Sequence, residues 1–134
     1  MDNTGNCSLI IRGDNINLAE IEENLQIKPS RVVRKGEIIS KTIGKSQYNV
    51  WVFEIKFGKN KLPNIALEEM LTAISSSKTY LKGLIDTVDI RIKCYVQSDY
   101  AQVGFEISPN VLKKLADMNM KLEISILSWG GVKS

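Results

Sequence analysis

The sequence contains no histidine, only two cysteines and only three prolines among its 134 residues. Because histidine supplies many acid–base catalysts and zinc ligands, its absence excludes histidine-based triads, imidazole proton transfer and most zinc sites. Cys7 and Cys94 fit no metal-binding or redox spacing, so we expect two reduced, buried thiols. Glycine-rich phosphate and dinucleotide motifs and the nucleophile elbow are also missing. We therefore expect no enzyme activity, no metal and no cofactor.

Long apolar runs are missing as well. The N-terminus has no basic stretch followed by an apolar run of signal-peptide length, and no apolar run approaches the length of a membrane span. These absences predict a cytoplasmic protein with no membrane partner. The hydrophobic content of 43% and the charged content of 25% are typical of globular proteins. The length predicts a single domain over residues 1–134 with a sizeable core.

The charge that is present is segregated along the chain. Residues 28–61, called the basic segment below, contain nine basic and two acidic side chains. Residues 1–27 contain one basic and five acidic side chains, and from residue 62 onward eight basic side chains meet eight acidic ones. This local excess on a chain of net charge +3 predicts a surface that meets a negatively charged partner. The competing interpretation is a solvated loop that keeps the protein soluble.

Five stretches show the period of two that is typical of half-buried strands. They are residues 7–12, which are short and apolar on both faces, and residues 50–57, 88–96, 101–107 and 122–127. In the third stretch Ile90 and Ile92 should be buried against helices, whereas Asp89, Arg91 and Lys93 should be substantially exposed.

Cap residues and apolar stripes predict three helices between these strands. Their predicted extents are residues 17–25, 63–74 with a continuation to about residue 84 after a break at 75–77, and 108–119. Ser108 followed by Pro109 is the clearest helix start in the chain, and Asn119 suits the left-handed residue that ends a helix.

The order of these elements predicts an α+β fold with a five-stranded, mostly antiparallel sheet and three helices. From residue 50 onward the order is β-α-β-β-α-β, the pattern of ferredoxin-like sheets, and an extra βα unit precedes it. Ser98 and Asp99 would form a tight turn between the third and fourth strands. Residues 28–49 are predicted to form a basic loop between the first helix and the second strand.

That loop contains the candidate partner-binding residues Arg31, Arg34 and Lys35. Guanidinium groups can donate paired hydrogen bonds to a carboxylate or a phosphate. Pro29 should stiffen the exit from the first helix, and Gly36 should allow a turn with a positive φ.

The two tryptophans receive different interpretations. Trp51 begins a strand face of large apolar side chains, which predicts a core position rather than a recognition platform. Trp129 lies near the C-terminus, where it could plug an edge of the sheet or contact a partner.

Several of these positions follow one pattern: a short strand ending in Gly13, a capped helix, Ile27-x-Pro29-Ser30, Arg34-Lys35-Gly36-Glu37, Trp51, and Gly104 to Ser108 leading into residues 111–115. This pattern resembles the bacterial family catalogued as domain of unknown function 4279, and the likeness spans nearly the whole chain. The resemblance implies a small bacterial α+β domain and brings no catalytic residues with it. Small single-domain proteins of this general kind resemble immunity proteins, which bind and neutralise a secreted toxin of the same bacterium.

Three functions remain open on these grounds. The first is a non-enzymatic protein-binding domain, an immunity protein that occludes a cognate toxin. Inhibitors of nucleases tend to be acidic, so a basic centre predicts a toxin that is acidic near its site or is not a nuclease. The second is a nucleic-acid-binding module that uses the basic segment, although the aromatic pattern of RNA-binding sheets is missing. The third is a small ligand-binding domain or an enzyme without recognisable motifs.

Overall fold

The protein, described from a computed structural model over residues 4–98 and 103–128, has an α+β fold. A 3₁₀ turn at Ser75–Ser77 joins the second helix to the third, as the predicted break indicated. In chain order the elements are β1 (Thr4–Gly13), α1 (Leu18–Leu25), β2 (Arg31–Val33), β3 (Ile38–Ser40), β4 (Gly44–Lys45), β5 (Asn49–Phe57), α2 (Pro63–Ile74), α3 (Lys78–Leu84), β6 (Asp89–Ser98), α4 (Pro109–Asp117) and β7 (Lys121–Ser128).

The main sheet is five-stranded and mostly antiparallel, as predicted, and its strand order is β2-β5-β1-β6-β7. β1 lies at the centre and runs antiparallel to both β5 and β6. The connection through α2 and α3 therefore crosses over β1. β6 and β7 are parallel neighbours, a pairing that requires a crossover, and α4 supplies it. The βα unit predicted to precede the sheet thus contributes its central strand.

The prediction of a strand at residues 101–107 is wrong for residues 103–107, the described part of that stretch, because they form no strand. Val103, Phe105 and Ile107 are partly buried side chains that pack against the core, so their alternation reflects packing of an extended segment. Residues 101 and 102 and the predicted turn at Asp99 lie outside the described residues. The fifth strand of the sheet is instead β2, inside the predicted basic loop. Of the four strands predicted for the ferredoxin-like portion, the third is therefore missing over residues 103–107, and the fourth is present as β7.

The core lies between the helices and one face of the sheet. Trp51 is fully buried there, which confirms its predicted core position, and its Nε1–H has no acceptor among the described residues. From the strands, the face also buries Leu9, Ile11, Ile90, Ile92 and Val96, and all four helices contribute to it through Ile21, Leu25, Leu67, Leu71, Leu81, Val111 and Leu115. The face of the sheet turned away from the helices is called the open face below.

The predicted helix caps are present. Asn17 Oδ1 accepts a hydrogen bond from Glu20 N at 3.1 Å, and Ser108 Oγ accepts one from Val111 N at 3.3 Å. Each bond satisfies a backbone donor that the first turn of a helix leaves free. Asn119 follows α4 with a φ of 54°, which confirms it as the left-handed residue after that helix.

The two cysteines are directly opposite each other on β1 and β6. Both are free and buried, as predicted, and their Sγ atoms are 4.0 Å apart. The hydrogen bond between the two thiols and the burial of Cys7 raise the pKa of the Cys7 thiol far above its usual range. Cys7 therefore stays protonated at neutral pH and is a poor nucleophile.

Candidate functional site

The start of β2 is fixed to β5 by Ser30, the residue after Pro29. Ser30 N donates to Val52 O at 2.7 Å, and Ser30 Oγ accepts from Glu54 N at 2.8 Å. These two bonds use both the backbone and the side chain of one residue. They hold the following residue, Arg31, at the edge of the sheet.

Arg31 lies on the open face, since its strand partner is Val52 and the facing side chains of paired residues share a side. Its guanidinium is exposed and reaches Glu54 at 3.7 Å. This distance leaves the pair weak, because exposed ion pairs contribute about 0.2–1 kcal/mol. Most donors of Arg31 remain available to a partner.

Arg31 begins β2, whereas Arg34 and Lys35 follow its last residue. Arg34 is exposed and has no ion pair within residues 4–98 and 103–128. Glu37 N donates to Arg34 O at 3.0 Å, which closes a turn around Gly36. Gly36 has a φ of 92°, so the predicted turn with a positive φ is confirmed.

Asn49 holds this end of the basic segment and was not singled out in the sequence. Its Oδ1 accepts from Lys35 N at 2.8 Å, and its Nδ2 donates to Ile16 O at 3.2 Å. One side chain thus ties the end of β2 to the loop after β1. Lys35 Nζ also comes within 3.9 Å of Asp14 Oδ1, so Lys35 is held at both its backbone and its amine.

Beyond this point residues 34–48 form a β-arm built on β3 and β4. The first pair of β3 with β4 keeps the antiparallel register of β2 with β5. The residue numbers of opposite partners add to 83 in Arg31 with Val52, Val33 with Val50 and Ile38 with Lys45. Gly36 N donates to Ser46 O at 2.8 Å and Ser46 N to Glu37 O at 2.7 Å, which bridges the two ladders. The β-arm therefore continues the β2–β5 pairing away from the main sheet.

The β-arm exposes aliphatic side chains, which the sequence pattern did not indicate. Ile38, Ile39 and Ile43 are all exposed, and Tyr48 is 37% exposed. The Tyr48 ring lies under Arg12, with the guanidinium carbon 5.0 Å from the ring centre, so the base of the β-arm meets the open face.

The open face carries a charged network centred on Asp89, which charge counting alone did not reveal. Asp89 accepts from Arg12 at 2.9 Å, from Arg91 Nη2 at 2.6 Å and from Lys121 at 3.4 Å. Arg91 Nη1 also donates to Glu123 at 2.8 Å. The charged side chains of β6 are consequently only partly exposed, less than predicted for Asp89, Arg91 and Lys93. The predicted burial of Ile90 and Ile92 is confirmed.

This network sets the protonation of its members. Burial alone would raise the pKa of Asp89, but hydrogen bonds and charge from Arg91 and Lys121 outweigh it and hold that pKa below its usual value. The hydrogen bond from Arg91 likewise lowers the pKa of Glu123. With Lys93 included, four cations face these two carboxylates, so this part of the open face keeps a net positive charge.

A polar depression of about 440 Å³ lies between α1 and α3, where Tyr80 and Glu20 line it. Burial, reinforced by the charge of Glu20, raises the pKa of the Tyr80 hydroxyl. A tyrosine that holds its proton more tightly is a poor general base. Within the described ranges, no three histidine, cysteine, aspartate or glutamate side chains are grouped so that they could hold a metal ion.

Trp129, the remaining predicted contact, lies outside the described residues. The predictions for Arg31, Arg34 and Lys35 as partner-binding residues stay predictions, since their geometry places them at an exposed edge without naming a ligand. No helix in the described part of the chain combines the length and the hydropathy required to cross a bilayer.

Comparison with known proteins places the chain in a family. Residues 3–129 match the family described as Domain of unknown function (DUF4279). The chain belongs to this family. No curated protein and no solved structure matches it. The resemblance of the sequence to DUF4279 is thus confirmed.

Proposed function

We propose that this DUF4279 protein is a non-enzymatic bacterial protein-binding domain of the immunity type, which occludes a cognate toxin. The observation that supports the proposal is the form of the basic segment. It builds a β-arm at the edge of the sheet, with Arg31 on the open face and Arg34 beyond the end of β2. An element that projects from a packed sheet can meet a partner without disturbing the core. In this role the protein acts in the bacterial cytoplasm.

The aliphatic side chains of the β-arm favour a protein partner over a nucleic acid. Single-stranded nucleic acids are bound by aromatic side chains that stack on bases, and isoleucine offers no such stacking. Exposed isoleucines beside basic side chains instead suit an interface with an apolar centre and a polar rim.

The charge of the surface indicates the partner's chemistry. The surface is positively charged, so it complements the carboxylates of an acidic partner. Its positive charge comes from Arg31, Arg34 and Lys35 and from the network around Asp89. A toxin domain neutralised by this surface is therefore acidic around the blocked region. Blocking would be steric, with the opposite charges speeding association.

The test reverses the three predicted charges together in one variant, called the β2 variant: Arg31→Glu in β2, and Arg34→Glu and Lys35→Glu directly after it. The matched control reverses three exposed helical lysines, Lys78, Lys82 and Lys113, so that both variants change the net charge by the same amount. Wild-type protein purified from its native cells should carry one larger polypeptide at one-to-one stoichiometry. The β2 variant should associate with that polypeptide about tenfold or more slowly at low salt, with a weaker salt dependence, and the control should not.

Two results would refute the proposal. One is wild-type protein that co-purifies with nucleic acid, seen as high absorbance at the nucleic-acid maximum that salt removes. The other is a folded β2 variant whose association rate at low salt equals that of wild type.

A further inference from the structure

We propose that the β-arm inserts into an apolar, acid-rimmed cleft of the partner protein, with Ile38, Ile39 and Ile43 as its anchors. This inference rests on the proposed function and goes beyond it by naming the contact and the shape of the complementary surface. It is carried by the exposure of these three side chains and not by the charges of Arg31, Arg34 and Lys35.

The three isoleucines are at least half exposed to solvent. Ile38 is 74% exposed, Ile43 69% and Ile39 50%. Burying these side chains on binding would remove apolar surface from water, which favours association. A few well-buried side chains carry most of the binding energy of a typical protein interface.

Their spread along the β-arm favours a cleft over a flat partner. Ile38 and Ile39 are consecutive residues of β3, where the pairing with β4 shifts register between Ile38 and Ser40 and the strand is bent. Ile43 lies in the turn between β3 and β4, where its N–H donates to Ser40 Oγ at 2.9 Å. A flat surface could cover only one face of the β-arm, whereas a cleft covers both faces and the turn.

The charges of the β-arm define the rim of that cleft. Arg34, Lys35, Lys41 and Lys45 are exposed, and Glu37 is the one acid in residues 34–48. Lys45 lies directly opposite Ile38, so a cation stands beside an anchor. A cleft with carboxylates around its mouth complements this arrangement.

The turn argues against a lipid bilayer as the occupant. Lys41 and Thr42 stand beside Ile43 in the turn and are exposed. Insertion of a lysine into hydrocarbon is costly, whereas a protein cleft can offer it a carboxylate. The β-arm thus fits a protein surface better than a membrane surface.

The experiment compares two triple-alanine variants of the full chain. The β-arm variant carries Ile38→Ala, Ile39→Ala and Ile43→Ala. Its control carries Leu62→Ala, Ile65→Ala and Leu112→Ala, three apolar residues around α2 and α4 that are 68%, 45% and 50% exposed. The probe is the one-to-one polypeptide found with wild-type protein, and its affinity is measured for both variants. Photo-crosslinking through p-benzoylphenylalanine at position 43, or at position 62 as control, then maps the contacted peptide by mass spectrometry.

We expect the β-arm variant to bind at least about tenfold more weakly and the control to bind as wild type does. Crosslinks from position 43 should reach a peptide that combines apolar residues with Asp or Glu, and position 62 should give none. Unchanged affinity of the β-arm variant would overturn this inference while leaving the charge-based function intact. Position-43 crosslinks to a second copy of this chain, or binding of wild type to phosphatidylserine-containing vesicles through the β-arm, would also overturn it. Failure of wild type to bind any single polypeptide would refute both proposals.

Discussion

Isoleucines on the helix-covered face of β1 and β6 are buried, whereas those of the β-arm, like Ile124 and Ile126 on the edge strand β7, are exposed. In the five-stranded sheet Ile11, Ile90 and Ile92 are at most 1% exposed, whereas Ile38 in the two-stranded sheet is 74% exposed. Both sets lie on strands, so local conformation does not explain the difference. The five-stranded sheet has helices packed on one face, and none of the core side chains identified in the described residues comes from the β-arm.

The difference in exposure separates isoleucines that stabilise the folded protein from isoleucines that contribute little to its stability. An isolated two-stranded hairpin is marginal in water, so the β-arm depends on the β2–β5 ladder that it continues. Its isoleucines add little to that ladder. Apolar side chains that a fold exposes without need are candidates for contact with another molecule.

The largest expected effect comes from the centre of the helix-covered face. Trp51→Ala should lower the free energy of unfolding by about 3–5 kcal/mol, because it empties a fully buried site. Trp51→Phe should lose less, since it keeps a ring and removes an N–H that lacks an acceptor among the described residues. Urea unfolding measures both. An unchanged melting temperature for Trp51→Ala would show that this face is not the core.

The isoleucine contrast is tested directly by one substitution in each sheet. Ile92→Ala should cost about 2–5 kcal/mol, while Ile38→Ala should change stability by no more than about 0.5 kcal/mol. Thermal and urea unfolding of the two variants give the comparison. Equal losses would mean that the β-arm packs against something in the isolated protein.

Two glycines sharpen the same contrast at the level of the backbone. A Cβ on Gly5 would lie 1.8 Å from the Tyr95 carbonyl oxygen, so Gly5→Ala should cost about 1–3 kcal/mol through forced separation of β1 and β6. A Cβ on Gly36 would meet nothing within 4 Å, and only its φ of 92° opposes the change, at about 1 kcal/mol. Hydrogen exchange should show β1 and β6 opening in the first variant and only the β-arm in the second.

The smallest effect concerns the open face and depends on pH. Asp89→Asn should lower stability at pH 7 by about 1 kcal/mol, because exposed ion pairs are individually weak. The folded-state pKa of Asp89 is lowered, so its contribution is fully present above the unfolded value near 3.9 and disappears as the pH falls through the folded value. The gap between wild type and variant should thus close below about pH 4. Asp86→Asn, which changes an exposed carboxylate without an ion pair in the described residues, is the control, and a gap that does not narrow as the pH falls below about 4 would contradict the assignment.

The elements that the sequence predicted are those with local signals. Period-two alternation identifies β5 and β6, and the caps Asn17 and Ser108 mark the starts of α1 and α4. β2 and β3 have three residues each and β4 has two, so each strand is too short to show a period of two. The alternation at residues 103–107 misled because packing against a core imposes the same pattern as pairing in a sheet.

The sequence predicted which basic residues belong to the candidate site, but it did not predict how they are arranged in space. Counting charges identified Arg31, Arg34 and Lys35 as exposed cations, but it gave no position for them. The anchor at Asn49 and the network at Asp89 depend on which strands pair and in which register. Arg12 and Asp89 are 77 positions apart in the chain, and only the pairing of β1 with β6 brings them together.

The central place of β1 also sets the order in which the chain can fold. Thr4 pairs with Gln97, so one edge of β1 stays unpaired on a growing polypeptide until β6 has left the ribosome. During that interval Leu9 and Ile11 lie on a strand with a free edge, a template for pairing with other chains. Long-range pairing of this kind also slows folding relative to helical proteins of the same size. Of the described strands, β1 is thus both the earliest in the sequence and the one that cannot complete its pairing until β6 has been synthesised.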